Sequence, residues 1–147
     1  EELAQDVFVK AYRFLSDFTG ETARFSTWLY TITQNTCFSY LRKKRLPIDS
    51  LDDDKSRPGM EQLEWQAGEQ RLEQQFRQNT IKEAMKLLSP SDTSILTLFY
   101  NAEQNLDEIA MILRIDPNTA KVRLHRARQR LKEKLEIHWS NEINEMI

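Results

Sequence analysis

Apolar residues recur at helical spacing almost from the first position of the chain. Leu3, Val7, Ala11, Phe14 and Leu15 fall three or four residues apart, so one helix runs to about Asp17, where Thr19-Gly20-Glu21-Thr22 breaks it. A second helix begins near Ser26 or Thr27, either of which can cap it, and carries Trp28, Leu29, Ile32, Thr36, Tyr40 and Leu41. Its last turn, Arg42-Lys43-Lys44-Arg45, complements the negative end of the helix dipole. Leu46-Pro47 closes this unit, and from Ile48 to Gly59 periodicity gives way to the Asp, Ser and Pro of a flexible tether. Helical character returns from about Met60, with Phe76, Ile81, Ala84, Met85 and Leu88 on one apolar face. Ser89-Pro90-Ser91-Asp92 stops that helix and caps the next, which carries Ile95, Leu96, Leu98 and Phe99 to about Asn101.

The following segment holds two helices joined by a short turn. Asn105 caps the first, and Glu108, three residues on, can bond back to the cap in a capping box; Ile109, Ala110, Ile112 and Leu113 form its buried face. After Arg114-Ile115, Asp116 caps the second helix, and Pro117 occupies its first position, where a missing amide proton costs nothing. This is the helix-turn-helix pattern. At about 100° per residue, Ala120, Leu124, Ala127 and Leu131 make one inward stripe. The opposite face then carries Asn118, Val122, His125, Arg126 and Gln129, flanked by Thr119, Lys121 and Arg123. Such polar and cationic side chains at the start of a helix suit base edges and phosphates in a major groove. Val122, aliphatic and opposite the core stripe, has no structural task there and is suited to a thymine methyl or a sugar surface.

Composition agrees with a helical reading. In 147 residues there are only 3 glycines and 4 prolines, and 39% hydrophobic content supports modest cores rather than a large enclosed active site. The expected fold class is all-α, with two small helical domains, residues 1–47 and 69–147, joined by a flexible acidic linker at 48–68. The net charge of −2 conceals a segregation. Arg114 to Lys134 holds eight basic residues against two acidic, a net +6, whereas Asp49 to Gln75 holds eight acidic against three basic, a net −5. The basic segment is the electrostatic footprint expected for nucleic acid.

Other function classes find little support in the chain. The single cysteine, Cys37, has no partner for a disulfide or a zinc site, and there is no glycine-rich phosphate loop or HExxH pair. No catalytic residue, metal, cofactor or small-molecule substrate is expected. No apolar run reaches the roughly 18 residues of a membrane span, and the acidic start lacks signal-peptide order, so a cytoplasmic protein is expected. Among DNA-binding readings, one alternative is a stand-alone helix-turn-helix regulator whose first unit senses a ligand or dimerises; it would bind operator DNA unaided.

Two groups of residues carry a more specific resemblance. Asp107-Glu108-Ile109-Ala110-Met111-Ile112-Leu113 followed by Asn118-Thr119-Ala120-Lys121-Val122-Arg123-Leu124-His125-Arg126-Ala127-Arg128 resembles region four of the extracytoplasmic-function RNA polymerase sigma factors, whose pattern is EIA-x-x-L and then GTVKSR-L-x-RAR. Here Asn118, Ala120 and Val122 stand where that pattern has glycine, valine and serine. In the first unit, Glu1-Glu2-Leu3-Ala4-Gln5-Asp6-Val7-Phe8-Val9-Lys10-Ala11-Tyr12 resembles the family's DAEDLTQEVFLKAY segment. Phe25-Ser26-Thr27-Trp28-Leu29-Tyr30-Thr31-Ile32-Thr33-Gln34-Asn35 is similar to F-x-TWLYRIARN, and Tyr40-Leu41-Arg42 ends the segment as in DYLR. The family normally has further helical sequence before this point, so an amino-terminal truncation is expected, with apolar surface left uncovered.

The resemblance implies a division of labour. Glu2, Gln5, Asp6 and Lys10 would bind the clamp of the polymerase β′ subunit, and a hydrophobic surface of the fourth region would bind the β flap. Phe18, with the loop Thr19-Gly20-Glu21, would shape a pocket for a flipped base of the minus-ten strand, and Asn35, Ser39 and Arg42 would face that strand. Asn118, Thr119, Lys121, Val122, Arg123 and Arg126 would read the minus-thirty-five duplex. Core RNA polymerase, promoter DNA and an anti-sigma factor are the partners implied. By the same resemblance the acidic linker threads toward the polymerase active-site and RNA-exit channel; by composition alone it is an extended spacer. Trp28, Leu29 and Ile32 are assigned to the core, and the segment from Leu135 to the C-terminus to an amphipathic helical extension.

Overall fold

The computed structural model describes residues 1–45 and 69–145, within which every regular element is helical. The order is α1 (Glu2–Phe14), a 3-10 turn (Leu15–Asp17), α2 (Phe25–Arg45), α3 (Glu69–Lys86), α4 (Pro90–Tyr100), α5 (Leu106–Leu113) and α6 (Pro117–Glu145). The expected linker at 48–68, and the return of helix near Met60, lie outside the described residues.

α1 and α2 pack against each other through small side chains. Val7 and Ala11, four apart on α1, are buried against α2, and small residues at these positions let the helices approach closely. Lys10 lies beside this seam and donates from Nζ to the Thr36 hydroxyl at 3.2 Å, tying the two helices together. Between them, the break expected at Gly20 occurs there, with φ +74, a left-handed conformation that a Cβ would strain. α2 begins at Phe25, so Ser26 and Thr27, the two expected caps, lie inside its first turn. Thr27 is instead 1% exposed, and its hydroxyl donates to Gln104.

The larger core belongs to α4, α5 and α6. Ile95, Leu96, Ile109 and Ile112 are essentially inaccessible and are closed over by Ala120, Leu124 and Ala127. Burying each of the four large aliphatics contributes about 1.5–3 kcal/mol. The caps are as expected. Ser89 accepts from the Asp92 amide, with Pro90 at the first position of α4. Asn105 and Glu108 satisfy each other's amides at 2.9 Å, completing the capping box of α5. The Thr119 amide donates to Asp116 Oδ1 at 3.0 Å at the start of α6.

Part of α3 departs from its expected face. Ala84 is fully buried and Met85 and Leu88 pack on the core, but Phe76 and Ile81 are exposed. The inward stripe is Thr80 and Ala84; Ile81 sits about 100° past it, and Phe76 precedes the point at which the helix reaches the core. α6 continues through the expected C-terminal extension, with one non-helical residue, Trp139, at φ −132 and ψ 21. Ile137, within that extension, is exposed.

Candidate nucleic-acid interface

The inner stripe of α6 determines what its outer face can present. With Ala120 and Ala127 at 0% exposure and Leu124 at 3%, the residues half a turn away project outward. Asn118, Lys121, Val122, Arg123 and Arg126 are all exposed, and Thr119 is partly so. Val122 is 46% exposed, confirming that this aliphatic side chain faces away from the core. Thr119 is held at the helix entrance, where its amide and hydroxyl both donate to Asp116. Those hydrogen bonds, the hydroxyl's first, lower the Asp116 pKa below its ordinary value.

The basic residues of α6 divide into two sets. Arg128 donates from Nε to the Tyr100 hydroxyl at 2.7 Å and lies 4.9 Å from the Phe99 ring centroid, so it serves to fasten α6 to α4. Arg130 donates to both oxygens of Asp92 at 2.9 Å. Among the described residues, Lys121, Arg123 and Arg126 have no ion-pair partner. Arg123, Arg126 and Arg130 share a concavity with Ser89, Ser91 and Asp92 at the amino end of α4, where the Asp92 carboxylate already engages Arg130 and leaves Arg123 and Arg126 as the cations without an ion-pair partner among the described residues.

Arg114, in the turn between α5 and α6, adopts φ 55 and ψ 48. Left-handed geometry at that position ends α5 sharply, but a non-glycine residue pays about 1 kcal/mol for it. Sequence reading did not single out Arg114 because its charge was counted without its backbone geometry.

In the first unit the expected strand-facing residues share one face of α2. Asn35, Ser39 and Arg42 follow at spacings of four and three, and Arg42 donates from Nη2 to the Ser39 hydroxyl at 3.1 Å. Phe18 does not stand alone beside the loop. Its ring lies 5.5 Å from Phe25 and 5.4 Å from Trp28, and these two are 5.5 Å apart, so three rings make one aromatic cluster at the start of α2. Trp28, assigned to the core, is only half-buried within it, and Phe25 is 48% exposed. Phe25 joins this cluster although it was not singled out; its place three residues before Trp28 at the start of α2 was the available signal. Glu2, Gln5 and Asp6 are exposed on α1, while Lys10 combines exposure with its bond to Thr36.

The two units are also in contact, which periodicity could not reveal. α2 packs on α5, and Tyr30 rests against the core of the second unit. Across the seam, Thr27 donates to Gln104 Oε1 at 2.9 Å, Ser94 donates to Gln34 Oε1 at 2.8 Å, and Arg24 pairs with Glu108. Among the described residues no group of His, Cys, Asp and Glu could hold a metal ion, and no helix is long and apolar enough to cross a membrane.

Two family descriptions match this chain: Sigma-70 region 2 over residues 1–46, and Sigma-70 region 4 over residues 78–131. RNA polymerase sigma factor YlaC of Bacillus subtilis is 32% identical over 135 residues, covering 92% of this chain and 76% of that protein. ECF RNA polymerase sigma factor SigW of the same organism is 32% identical over 143 residues, covering 92% and 74%. ECF RNA polymerase sigma-E factor of Escherichia coli is 31% identical over 142 residues, covering 92% and 73%. In fold, the chain resembles the sigma factor RpoE solved in complex with the anti-sigma factor NepR from Bartonella quintana, with a TM-score of 0.64 and 24% identity over 93% of this chain and 81% of that one.

Proposed function

The chain belongs to the extracytoplasmic-function branch of the sigma-70 RNA polymerase sigma factors, and from that premise we propose how its surfaces share the work of starting transcription. As a sigma factor it binds core RNA polymerase and promoter DNA and carries no enzymatic activity of its own. The outer face of α6 reads the minus-thirty-five duplex. Asn118, Val122 and Arg126 address base edges, while Thr119, Lys121 and Arg123 flank them and hold phosphates. The observation that carries this reading is the α6 face itself, exposed and cationic directly opposite Ala120, Leu124 and Ala127.

On the first unit, Asn35, Ser39 and Arg42 follow the melted minus-ten strand along α2. Phe18, within the cluster of Phe25 and Trp28, offers aromatic surface for an unstacked base, which costs a few kcal/mol to extrude. Glu2, Gln5, Asp6 and Lys10 on α1 engage the β′ clamp, and the second unit's hydrophobic surface engages the β flap. An anti-sigma factor is a further partner in this reading, supported by the complex in which the structural neighbour was solved. The site of action is the cytoplasm, where polymerase and promoter meet.

Run-off transcription with core polymerase over a random-promoter library tests the whole proposal. Specific start sites that require both the chain and core are expected. DNA binding without core at palindromic sites would instead favour a stand-alone regulator.

A further inference from the structure

A cleft lined from both units differs in charge from the concavity at α4. Asn35 and Phe38 of α2 line it from one side, Arg114 and Arg123 from the other, and Ile112 and Leu113 of α5 add apolar surface. Among the described residues that line it there is no carboxylate, whereas Asp92 lines the concavity at α4. Arg114 and Arg123 are exposed and have no ion-pair partner among the described residues. Two guanidinium groups on one cleft repel each other, and an anion held by both turns that repulsion into attraction.

The backbone at Arg114 is an independent sign. It holds φ 55 and ψ 48, a left-handed geometry that glycine adopts at lower cost, so a long cationic side chain is kept where the turn alone favours none. The α2 side offers different chemistry. Phe38 is half-buried and supplies a ring on which a planar heterocycle can stack. Asn35 is exposed, and its amide carries a donor and an acceptor side by side, the pair that matches N7 and N6 of adenine. The cleft measures about 210 Å³, below the roughly 300–1,000 Å³ of sites that enclose a drug-sized molecule. It suits one planar ring with a phosphate at its open mouth, and nothing more extended.

We propose that this cleft binds a free adenine mononucleotide, with Phe38 and Asn35 taking the base and Arg114 and Arg123 the 5′-phosphate. Guanidinium groups grip phosphate oxygens through paired, charge-assisted hydrogen bonds. Each unit supplies half of the site. Binding is a property of the chain by itself and does not depend on the promoter reading given above. An adenylate within a single strand presents the same base, but its phosphodiester carries one negative charge where a terminal phosphate carries nearly two. The free nucleotide is therefore the better counter-ion for two arginines.

Amide chemical-shift titration of the full chain tests this, with adenosine 5′-monophosphate, adenosine, inorganic phosphate and a short adenylate strand lacking a terminal phosphate as probes. The mononucleotide should saturate with a dissociation constant on the order of 0.1 mM, and adenosine and inorganic phosphate should each bind at least about tenfold more weakly. The strand should also bind more weakly than the mononucleotide. Arg114→Gln, which keeps a non-glycine residue in the turn, should weaken the mononucleotide about tenfold and leave adenosine unchanged. Asn35→Ala should weaken both by the same factor, about fivefold. Both residues are exposed, so neither change removes core packing. Lys132→Gln, at a cation outside the cleft, should alter nothing. The proposal is overturned if the mononucleotide does not saturate, if it binds no tighter than adenosine or inorganic phosphate, if Arg114→Gln and Lys132→Gln weaken it alike, or if Arg114→Gln or Asn35→Ala binds it as the wild type does. A strand that binds more tightly than the mononucleotide also overturns it, and makes the cleft part of a path for single-stranded nucleic acid.

Discussion

Arg130 of α6 donates through Nη1 to both carboxylate oxygens of Asp92 in the first turn of α4, at 2.9 Å each, across 38 residues of sequence. The Asp92 side chain is 11% exposed and Arg130 53%, so one partner is nearly dry and the other remains wet. An exposed pair contributes about 0–1 kcal/mol, and leaving a buried carboxylate alone costs more. The helix N-terminus offsets part of that loss. Arg130→Ala should therefore lower the stability of the second unit by about 1–2 kcal/mol in urea unfolding, while Arg130→Lys, keeping charge without the planar fork, should lose less than half as much. An unchanged midpoint for Arg130→Ala would show that the pair is neutral.

Arg114 occupies a left-handed conformation, φ 55 and ψ 48, that glycine adopts freely. Arg114→Gly should raise stability by roughly 0.5–1 kcal/mol, because relief of the Cβ clash exceeds the extra unfolded-state entropy of glycine. The same change removes a cation from the cleft beside Arg123, so promoter affinity should fall as stability rises. Thermal unfolding and a salt titration of DNA binding separate the two effects. Loss of both stability and affinity would mean that the Arg114 side chain also supports the turn.

Val122 and Lys121 should fail differently when changed. Val122→Ser replaces the apolar surface suspected of touching a thymine methyl, so it should reorder preference among promoter sequences with little change in salt dependence. Lys121→Ala removes a cation that holds a phosphate in this reading and should reduce the slope of log affinity against log salt by about 0.9. Holoenzyme binding to a promoter library at three salt concentrations measures both. Unaltered sequence preference in Val122→Ser would remove Val122 from the reading set.

Local features were legible in the sequence where their physics is local. The Asn105 and Glu108 capping box, the Asp116-Pro117 entrance and the Ala120, Leu124, Ala127 stripe each depend on residues within one or two turns, and all were found as expected. What could not be read depends on partners far along the chain. Thr27 looked like a cap because threonine favours that position, but Gln104, 77 residues away, receives its hydroxyl inside the helix. Ile81 satisfies a helical period yet lies off the stripe through Thr80 and Ala84, and Phe76 continues that stripe one turn before the helix reaches the core, because periodicity does not say where a neighbouring helix meets it. Phe18 was visible as an isolated aromatic, but its enclosure by Phe25 and Trp28 needed the turn at Gly20 to bring the rings together.

Asp116 gives a pH test whose sign follows from its hydrogen bonds. The Thr119 hydroxyl and then the Thr119 amide favour the carboxylate, placing the folded pKa below the ordinary 3.8. The unfolded chain therefore takes up the proton first as pH falls. The stabilisation from this cap is fully present above about pH 3.8, fades as pH falls through the folded pKa, and does not return at lower pH. Asp116→Asn caps a helix about as well but does not titrate in this range. Near pH 7 the two chains should have similar stability; below pH 3.8 the wild type should lose stability relative to Asp116→Asn. Measuring the difference between their unfolding midpoints from pH 7 to pH 2.5 isolates this group, since other carboxylates titrate in both. A difference that stays constant across that range, or that grows in favour of the wild type on acidification, would show that the Asp116–Thr119 bonds do not favour the charged cap.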